Sequence, residues 1–267
     1  MRLFSPDSAH WYQRDGTALH SVPAANGELR RTTLRDARKL GLVPSVTNIL
    51  GVIAKPELTL WLQEQAVLAA LTLPRLPGES EDAFALRVVR DSGTMRDSAA
   101  EFGTAFHEGA ETVAATLEVD AKDPQAPWLS LYRDWYQENI EQLVWTERTL
   151  VCAEVGFAGT ADLLARHRKH GLVLVDLKTQ RVKPGAKLSA YKSWCYQLAA
   201  YRRALNQPVG CMNVVVNSRE PSAPVEIVWS SEDLGSGWAA FEAAHKIWCI
   251  EKAFDPRMAP PSGVALN

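Results

Sequence analysis

Residues 157–179 read FAGTADLLARHRKHGLVLVDLKT, and this stretch decides the fold. It contains two apolar runs, Phe157–Arg166 and Leu172–Leu177, each of a length typical of a β-strand. Lys169-His170-Gly171 lies between them and has the composition of a turn. We therefore predict an antiparallel hairpin. The second run is apolar at four successive positions, which indicates a strand buried on both faces of a sheet.

Charged side chains follow these apolar runs. Asp162 closes the tetrapeptide Gly159–Asp162, and Asp176 comes directly after the buried run. Two converging carboxylates repel each other unless a cation lies between them, and hard divalent cations prefer oxygen ligands. Lys178 follows Asp176 by two residues and so points to the same face of its strand. Alone, Asp162 is consistent with a turn cap and Asp176–Lys178 with a surface ion pair, but together they favour metal-assisted phosphodiester hydrolysis.

A helix upstream of the hairpin carries a second set of polar residues. His107 and Glu111 lie four residues apart, which places them on one helical face. This pair is suited to one metal ligand and a second ligand or orienting group, although a solvent-exposed polar stripe is the alternative. Gly103 and Gly109 lie inside the same helix, where glycine is unfavourable, so another group is expected to approach closely there.

The segment after the hairpin is rich in donors. Gln197 and Tyr201 repeat the four-residue spacing on a predicted helix, where Gln197 can hold a catalytic lysine and Tyr201 can donate to a phosphate. The alternative is a helix whose apolar face simply covers the sheet. Between the hairpin and this helix lies a cationic loop that suits a phosphate-backbone track, with a plain solvated loop as the alternative. Its predicted DNA contacts are Thr179, Lys183, Lys187, Tyr191 and Lys192.

Composition sets limits on the class of protein. The 267 residues are 46% hydrophobic and 22% charged, with a net charge of −2, so nucleic-acid affinity must come from local patches. No apolar run is long enough to span a membrane, and the first residues lack the apolar core of a signal peptide. The four cysteines form no CxxC pair, which argues against a zinc ribbon or an iron–sulfur cluster and favours free thiols in a reducing cytoplasm. They are Cys152, Cys195, Cys211 and Cys249.

The order of predicted elements indicates the α/β class, with a mixed central sheet flanked by helices. A hairpin is expected within 8–44, and the segment 79–118 is expected as one or two helices with a bend near Ser92-Gly93. Other helices are expected at 46–53 (capped by Ser45), 57–71, 126–141, 190–205 and 234–253, and strands at 144–153, 157–166, 172–177, 211–218 and 225–230. We predict one domain over 1–267, with an N-terminal hairpin and helical region (1–98), a core (99–230), and a C-terminal helix and loose tail (231–267).

Four motifs occur in the order typical of one family. They are Gly103–Glu111 (GTxxHxxxE), Gly159–Asp162 (GTxD), Asp176–Thr179 (DxKT) and Tyr196–Tyr201 (YQLxxY). By these motifs and their order, the sequence resembles the PD-(D/E)XK nuclease superfamily. Within the superfamily it is similar to exonucleases related to the RecB nuclease domain and to the mitochondrial genome maintenance exonuclease, including members encoded by bacteriophages. Each motif is weak alone, but four in order on suitable elements are specific.

The resemblance implies a restriction-endonuclease-like core and a metal-dependent DNA exonuclease. Mg²⁺ or Mn²⁺ would be the cofactor, without an iron–sulfur cluster, because the cysteines that hold one in some members have no counterpart here. The implied metal ligands are His107, Asp162, Asp176 and the backbone carbonyl of Leu177.

Further roles follow from the same resemblance. Lys178 would position the attacking water and stabilise charge on phosphorus, Gln197 would support Lys178, and Tyr201 would hold the phosphate. Glu111 would contact a second metal site or its helical neighbours. Asp176 stands where some members have Glu, a change that the family tolerates.

The sequence leaves competing functions open. The expected substrate is DNA, as single strands or duplex ends, in recombination, repair or replication in the cytoplasm of a bacterial or phage-infected cell. A homo-oligomer or a recombination protein is the expected partner, with no role for a membrane. A structure-specific endonuclease on the same core, or a catalytically silent DNA- or protein-binding module, are the alternatives. His167 and His170, in the basic turn of the hairpin, are expected to face solvent.

Overall fold

The computed structural model describes residues 10–182 and 185–258, so most of the expected C-terminal tail lies outside the described residues. The first elements are β1 (Trp11–Tyr12), β2 (Ser21–Pro23), β3 (Leu29–Arg31), α1 (Leu34–Leu40), β4 (Val43–Pro44) and α2 (Val46–Leu50). The predicted hairpin is confirmed, because β2 and β3 pair antiparallel. Ser45 caps α2 by accepting a hydrogen bond from the backbone N–H of Asn48. The helix ends at Leu50 because tighter i→i+3 hydrogen bonds carry the chain from there to Ile53.

Three long helices follow, namely α3 (Pro56–Thr72), α4 (Glu81–Thr116) and α5 (Ala126–Asn139). The segment predicted as one or two helices is a single helix of 36 residues that continues through Ser92 and Gly93. A glycine inside a helix costs only about 1 kcal/mol. Packing outweighs this cost, because α4 contacts α3 as well as α5 and the sheet.

The remaining elements form the mixed sheet and its helices. They are β5 (Ile140–Cys152), β6 (Phe157–His167), β7 (Gly171–Gln180), α6 (Lys192–Leu205), β8 (Gly210–Asn217), β9 (Val225–Trp229) and α7 (Ser231–Lys252). The strands lie in the order β5-β6-β7-β8-β9. Among the five strands of this sheet, only β7 and β8 pair in parallel, with α6 as the crossover, and the hairpin of β6 and β7 is confirmed. The chain therefore has the predicted α/β class with a restriction-endonuclease-like core.

Helices cover the sheet on both faces. Leu174 packs into a cluster with Leu198 of α6 and Phe241 of α7. Its neighbour Val175 packs into a separate cluster with Phe106 of α4. The apolar run in β7 is therefore buried on both faces, as predicted, and the polar residues that follow it start at the edge of a dry core.

Gly109 lets α4 and α5 approach closely, because a Cβ at this position would lie 2.7 Å from Leu129. We expect Gly109→Ala to lower the free energy of unfolding by about 1–3 kcal/mol through overpacking. Gly235→Ala in α7 is the matched control, since a Cβ there meets nothing within 4 Å. That change should leave stability equal or raise it by up to about 1 kcal/mol. Urea unfolding measures both, and equal effects of the two substitutions would contradict the packing.

Candidate active site

Two carboxylates meet where the hairpin strands separate. The β6–β7 ladder ends with Leu163 opposite Val175, and Asp162 and Asp176 are the next residues. Beyond this point the Oδ2 atom of Asp162 accepts the backbone N–H of Leu177 at 2.6 Å. A side chain thus takes the place of a strand carbonyl, which fixes the Asp162 carboxylate beside β7.

A hydrogen-bonded chain holds Lys178 beside the second carboxylate. The Nζ atom of Lys178 lies 2.6 Å from Oδ2 of Asp176 and donates to Oε1 of Gln197 at 3.1 Å. Nε2 of Gln197 donates to the hydroxyl of Tyr201 at 3.0 Å. The four-residue spacing on α6 therefore places Gln197 where it orients the lysine.

His107 approaches the same place from α4. Its Nδ1 atom lies 3.6 Å from Oδ2 of Asp162. Burial alone would lower the pKa of His107, but the hydrogen bond and the charge of Asp162 outweigh burial and raise it. Burial likewise favours a neutral Asp162, yet His107 and the charge of Lys178 lower the pKa of this carboxyl. The site thus stabilises a negative charge on Asp162 by placing positive groups beside it.

Glu147 is a site residue that the sequence did not reveal. It lies on β5 between Thr146 and Arg148, which pair with Leu163 and Ala161, so it stands opposite Asp162. Its φ of 44° is uncommon for a residue other than glycine, and such strain is concentrated at functional sites. Burial, together with the charge of Asp162, raises the pKa of Glu147 to about 7. The paired strands therefore place two acidic side chains face to face.

The donor set fits a divalent cation. Ligand atoms of His107, Glu147 and Asp162 all lie within 4.8 Å of one another. They line a cavity of about 10 Å³, close to the volume of one water-sized sphere. Burial and the negative Asp162 raise the pKa of the adjacent Asp176 to about 6. The crowded carboxylates around this space supply the oxygen ligands that Mg²⁺ and Mn²⁺ prefer, with one imidazole beside them.

Leu177 and Glu111 line the same cavity. The N–H and C=O of an extended residue point to the same side of its strand, so the Leu177 carbonyl faces the side on which its N–H meets Asp162. Glu111 is exposed and accepts a hydrogen bond from Thr146 at 3.4 Å. It therefore stands at the mouth of the cavity, one helical turn from His107.

The predicted DNA-binding residues differ in their exposure. Lys187 and Lys192 are exposed, and Tyr191, which is 39% exposed, packs edge-on against Trp194. Thr179 lies close to α4, with its hydroxyl 3.3 Å from where a Cβ of Gly103 would be. Lys183 lies outside the described residues.

Tyr201 is buried below the site. It is only 4% exposed, and its ring would lie 2.7 Å from a Cβ at Gly159. The glycine of the GTxD motif thus makes room for the tyrosine ring. In the structure Tyr201 supports Gln197 from beneath, and a phosphate contact by its hydroxyl stays a prediction.

Asn213 supports the second carboxylate from β8. It is fully buried beside Asp176, and its Nδ2 atom donates to Oδ2 of Asp176 at 2.7 Å. Trp229 in turn donates its indole N–H to Oδ1 of Asn213 at 2.7 Å. No local sequence signal identifies Asn213, because its role depends on the pairing of β8 with β7 across the α6 crossover.

Of the two histidines of the hairpin turn, His170 is exposed as predicted, but His167 is not. His167 is buried, so the prediction that it faces solvent is wrong. Its Nδ1 atom accepts the backbone N–H of Lys169, and Nε2 therefore carries the proton that Glu226 accepts at 3.1 Å. Although His170 brings a third metal-ligating side chain nearby, the Nε2 proton favours a structural hydrogen bond over a metal site.

Removal of the amide at position 213 should weaken metal binding. We expect Asn213→Leu to lower Mn²⁺ affinity by about 10- to 100-fold, because groups that orient metal ligands have effects of this size. Asn217→Leu is the control, since Asn217 lies on the same strand and binds backbone groups of Val182 and Arg219. Titration calorimetry measures both variants. Unchanged Mn²⁺ affinity in Asn213→Leu would refute the supporting role.

Metal affinity should rise with pH. The pKa values of Asp176 and Glu147 are raised to about 6 and about 7, so both carboxyls hold protons at pH 5 and lose them by pH 8. A cation binds the ionised forms and displaces these protons. We expect Mn²⁺ to bind more tightly at pH 8 than at pH 5. Glu147→Gln should remove the part of this increase in affinity that occurs near pH 7. Calorimetry in buffers of different ionisation enthalpy counts the released protons. A Mn²⁺ affinity that does not change between pH 5 and pH 8 would contradict the raised pKa values.

Comparison with known proteins identifies the family. The family model of the PD-(D/E)XK nuclease superfamily matches residues 83–218, an interval that contains His107, Glu147, Asp162, Asp176 and Lys178. The crystal structure of SSO0001 is 14% identical over 74% of this chain and 87% of that chain, with a TM-score of 0.33, which is too low to support an argument. Curated proteins give no match. Because the matched interval spans just over half of the chain and includes all four motifs, this protein belongs to the PD-(D/E)XK nuclease superfamily.

Proposed function

We propose that this nuclease is a metal-dependent DNA exonuclease of the group that includes the RecB nuclease domain and the mitochondrial genome maintenance exonuclease. One observation carries the proposal: Lys178 lies between Asp176 and Gln197, directly beside the cluster of His107 and Asp162. The YQLxxY motif that supplies Gln197 and the histidine motif on α4 are the features of the sequence that resemble this group.

The metal would be held by side chains from three elements. His107 of α4, Glu147 of β5 and Asp162 of β6 offer ligands to one cavity, with Asp176 of β7 adjacent. A bound divalent ion would supply positive charge at the phosphate and make a nearby water more acidic. We propose Mg²⁺ or Mn²⁺, because the set is dominated by carboxylate oxygen.

Lys178 is placed to act on water and phosphate. An ammonium group has three N–H donors, and among the described residues Asp176 and Gln197 accept two of them. The third donor is available to the substrate. A fixed positive charge at this position stabilises the negative charge that develops on the phosphate oxygens during hydrolysis.

DNA is the substrate that superfamily membership implies. The chain has a net charge of −2, so contacts with the phosphate backbone depend on local cations. We propose that Lys187, Lys192 and Tyr191 guide a strand from the loop before α6 toward the site, as the exposure of these side chains permits. A role in recombination, repair or replication, and a homo-oligomer or recombination protein as partner, stay predictions.

Loss of the ammonium should slow hydrolysis strongly without loss of fold. We expect Lys178→Ala to lower the rate of DNA hydrolysis by at least about 10²- to 10³-fold, the effect of removing one charge-stabilising donor. Lys246→Ala, which removes an exposed lysine on α7, should retain full activity. Rates on end-labelled DNA in Mg²⁺ and DNA binding in Ca²⁺ are measured in parallel. Undiminished hydrolysis by Lys178→Ala would refute the proposed site.

The wild-type protein itself separates an exonuclease from an endonuclease. A circular single strand offers no end, so the proposal expects linear DNA to be degraded and the circle to stay intact. Cleavage of the circle would favour the structure-specific endonuclease on the same core. No cleavage of either substrate, together with no binding of Mn²⁺, would favour a catalytically silent module.

A further inference from the structure

A second cleft lies between α6 and α7, apart from the candidate active site. Its volume is about 410 Å³, whereas the cavity beside His107 measures about 10 Å³. Clefts that hold small organic ligands have volumes of about 300–1,000 Å³. The ten residues that line the second cleft come from the C-terminal half of α6, the loop after it and the first two turns of α7. This cleft is therefore large enough for a small molecule.

Helix α6 separates this cleft from the catalytic residues. Ala199 and Arg202, which line the cleft, lie about 160° and 140° around the helix axis from Gln197. Gln197 accepts the hydrogen bond that orients Lys178, so the cleft and the active site lie on opposite sides of one helix. The two sites share no lining residue.

The lining of the cleft carries positive charge. Arg202 and Arg203 both line it, and none of its ten lining residues is acidic. Glu232 and Asp233 are close in sequence but do not line the cleft. The Asp233 carboxylate is engaged at the cap of α7, where it accepts hydrogen bonds from the backbone N–H and the hydroxyl of Ser230. The charge of the lining therefore suits an anion.

The two arginines are free to bind an anion to different degrees. Nη2 of Arg203 lies 3.2 Å from Oε2 of Glu154, but these side chains are 47% and 78% exposed, so the ion pair is weak and easily exchanged. Arg202 is partly buried, and among the described residues no acceptor binds its guanidinium. Charge-assisted hydrogen bonds to an anion are strong, and Arg202 has all its donors available for them.

One wall of the cleft is aromatic. The ring of Trp238 stacks on Phe241 with 5.6 Å between the ring centres, and the Cζ atom of Arg203 lies 5.7 Å from the centre of the indole. Nucleic-acid bases stack on aromatic rings and on guanidinium planes. Trp238 and Arg203 therefore form a wall on which a planar base can stack.

Amide groups complete the lining. Asn206 and Gln207 follow α6, line the cleft and are exposed. A side-chain amide has both donors and acceptors, and in this respect it matches the edge of a base. The cleft thus combines groups that bind a phosphate with groups that bind a base.

We propose that the cleft between α6 and α7 binds a nucleoside phosphate, with the phosphate on Arg202 and the base against Trp238 and Arg203. A simple inorganic anion would leave the aromatic wall unused, and an apolar molecule would leave Arg202 unpaired. A free nucleotide and one nucleotide of a strand present the same chemistry to the cleft. The proposal does not depend on hydrolysis, because α6 separates the cleft from Lys178.

Titration calorimetry in EDTA, which removes divalent ions from the active site, tests the proposal. The probes are dAMP, inorganic phosphate and a 5′-phosphorylated hexamer of deoxyadenosine. We expect dAMP to bind at least about 10-fold more tightly than phosphate, because only dAMP has a base to stack. If the hexamer binds at least about 10-fold more tightly than dAMP, and loses this affinity in Arg202→Gln, the ligand is a strand. A smaller ratio identifies the free nucleotide.

Two substitutions locate the binding. Arg202→Gln should weaken dAMP binding about 10- to 100-fold, the effect of losing a hydrogen bond to a charged group. Arg90→Gln, which changes an exposed arginine on α4, is the matched control and should bind dAMP as the wild type does. Gly235→Leu adds a side chain at the wall of the cleft, where a Cβ meets nothing within 4 Å, and leucine is a better helix former than glycine. This variant should also bind dAMP at least about 10-fold more weakly, because the added side chain occupies the cleft.

Three results would overturn the proposal. They are no binding of dAMP to the wild-type chain at millimolar concentration, equal affinities for dAMP and phosphate, and dAMP binding that neither Arg202→Gln nor Gly235→Leu weakens. Circular dichroism of each variant confirms that its helices are intact. Lys178→Ala should bind dAMP as the wild type does, so a failure of the proposed nuclease and a failure of the proposed cleft can be told apart.

Discussion

Repulsion between converging carboxylates is the constraint on which the site depends. Pairing of β5, β6 and β7 forces Glu147, Asp162 and Asp176 into a small space at the edge of a dry core, where ionised groups are unfavourable. Burial, followed by the charge of Asp162, raises the pKa values of Glu147 and Asp176, and the positive charge of His107 and Lys178 offsets only part of this effect. A divalent cation would relieve the rest, so the same folding that builds the sheet creates a place for the metal.

The surrounding structure fixes these groups by hydrogen bonds from elements distant in sequence. Asp162 accepts the N–H of Leu177, Asp176 accepts from Asn213, and Lys178 donates to Gln197. Each reactive side chain thus has its rotamer set by a partner on a neighbouring strand or helix. Preorganisation of this kind lowers the reorganisation needed when charge develops on a phosphate.

Local patterns predicted the parts of the site that local sequence encodes. The hairpin of β6 and β7, the buried run before Asp176 and the helical spacing of Gln197 and Tyr201 all follow from periodicity over a few residues. Glu147 escaped notice because its position opposite Asp162 depends on the pairing of β5 with β6, which the residues around Glu147 do not encode. Asn213 depends on a parallel pairing set by the α6 crossover, and the burial of His167 depends on Glu226, 59 residues away. Interactions between distant segments, rather than propensities, decide these three.

The central claim is that one divalent ion binds between α4 and the strands β5, β6 and β7. Anomalous diffraction from a crystal soaked in Mn²⁺ tests this most directly, because the ion is located without any assumption about its ligands. The account predicts an anomalous peak within about 2.3 Å of ligand atoms of His107, Asp162 and at least one of Glu147 and Asp176, at the bond lengths of a hard divalent ion. A well-ordered crystal with those side chains turned apart and no manganese among them would contradict it.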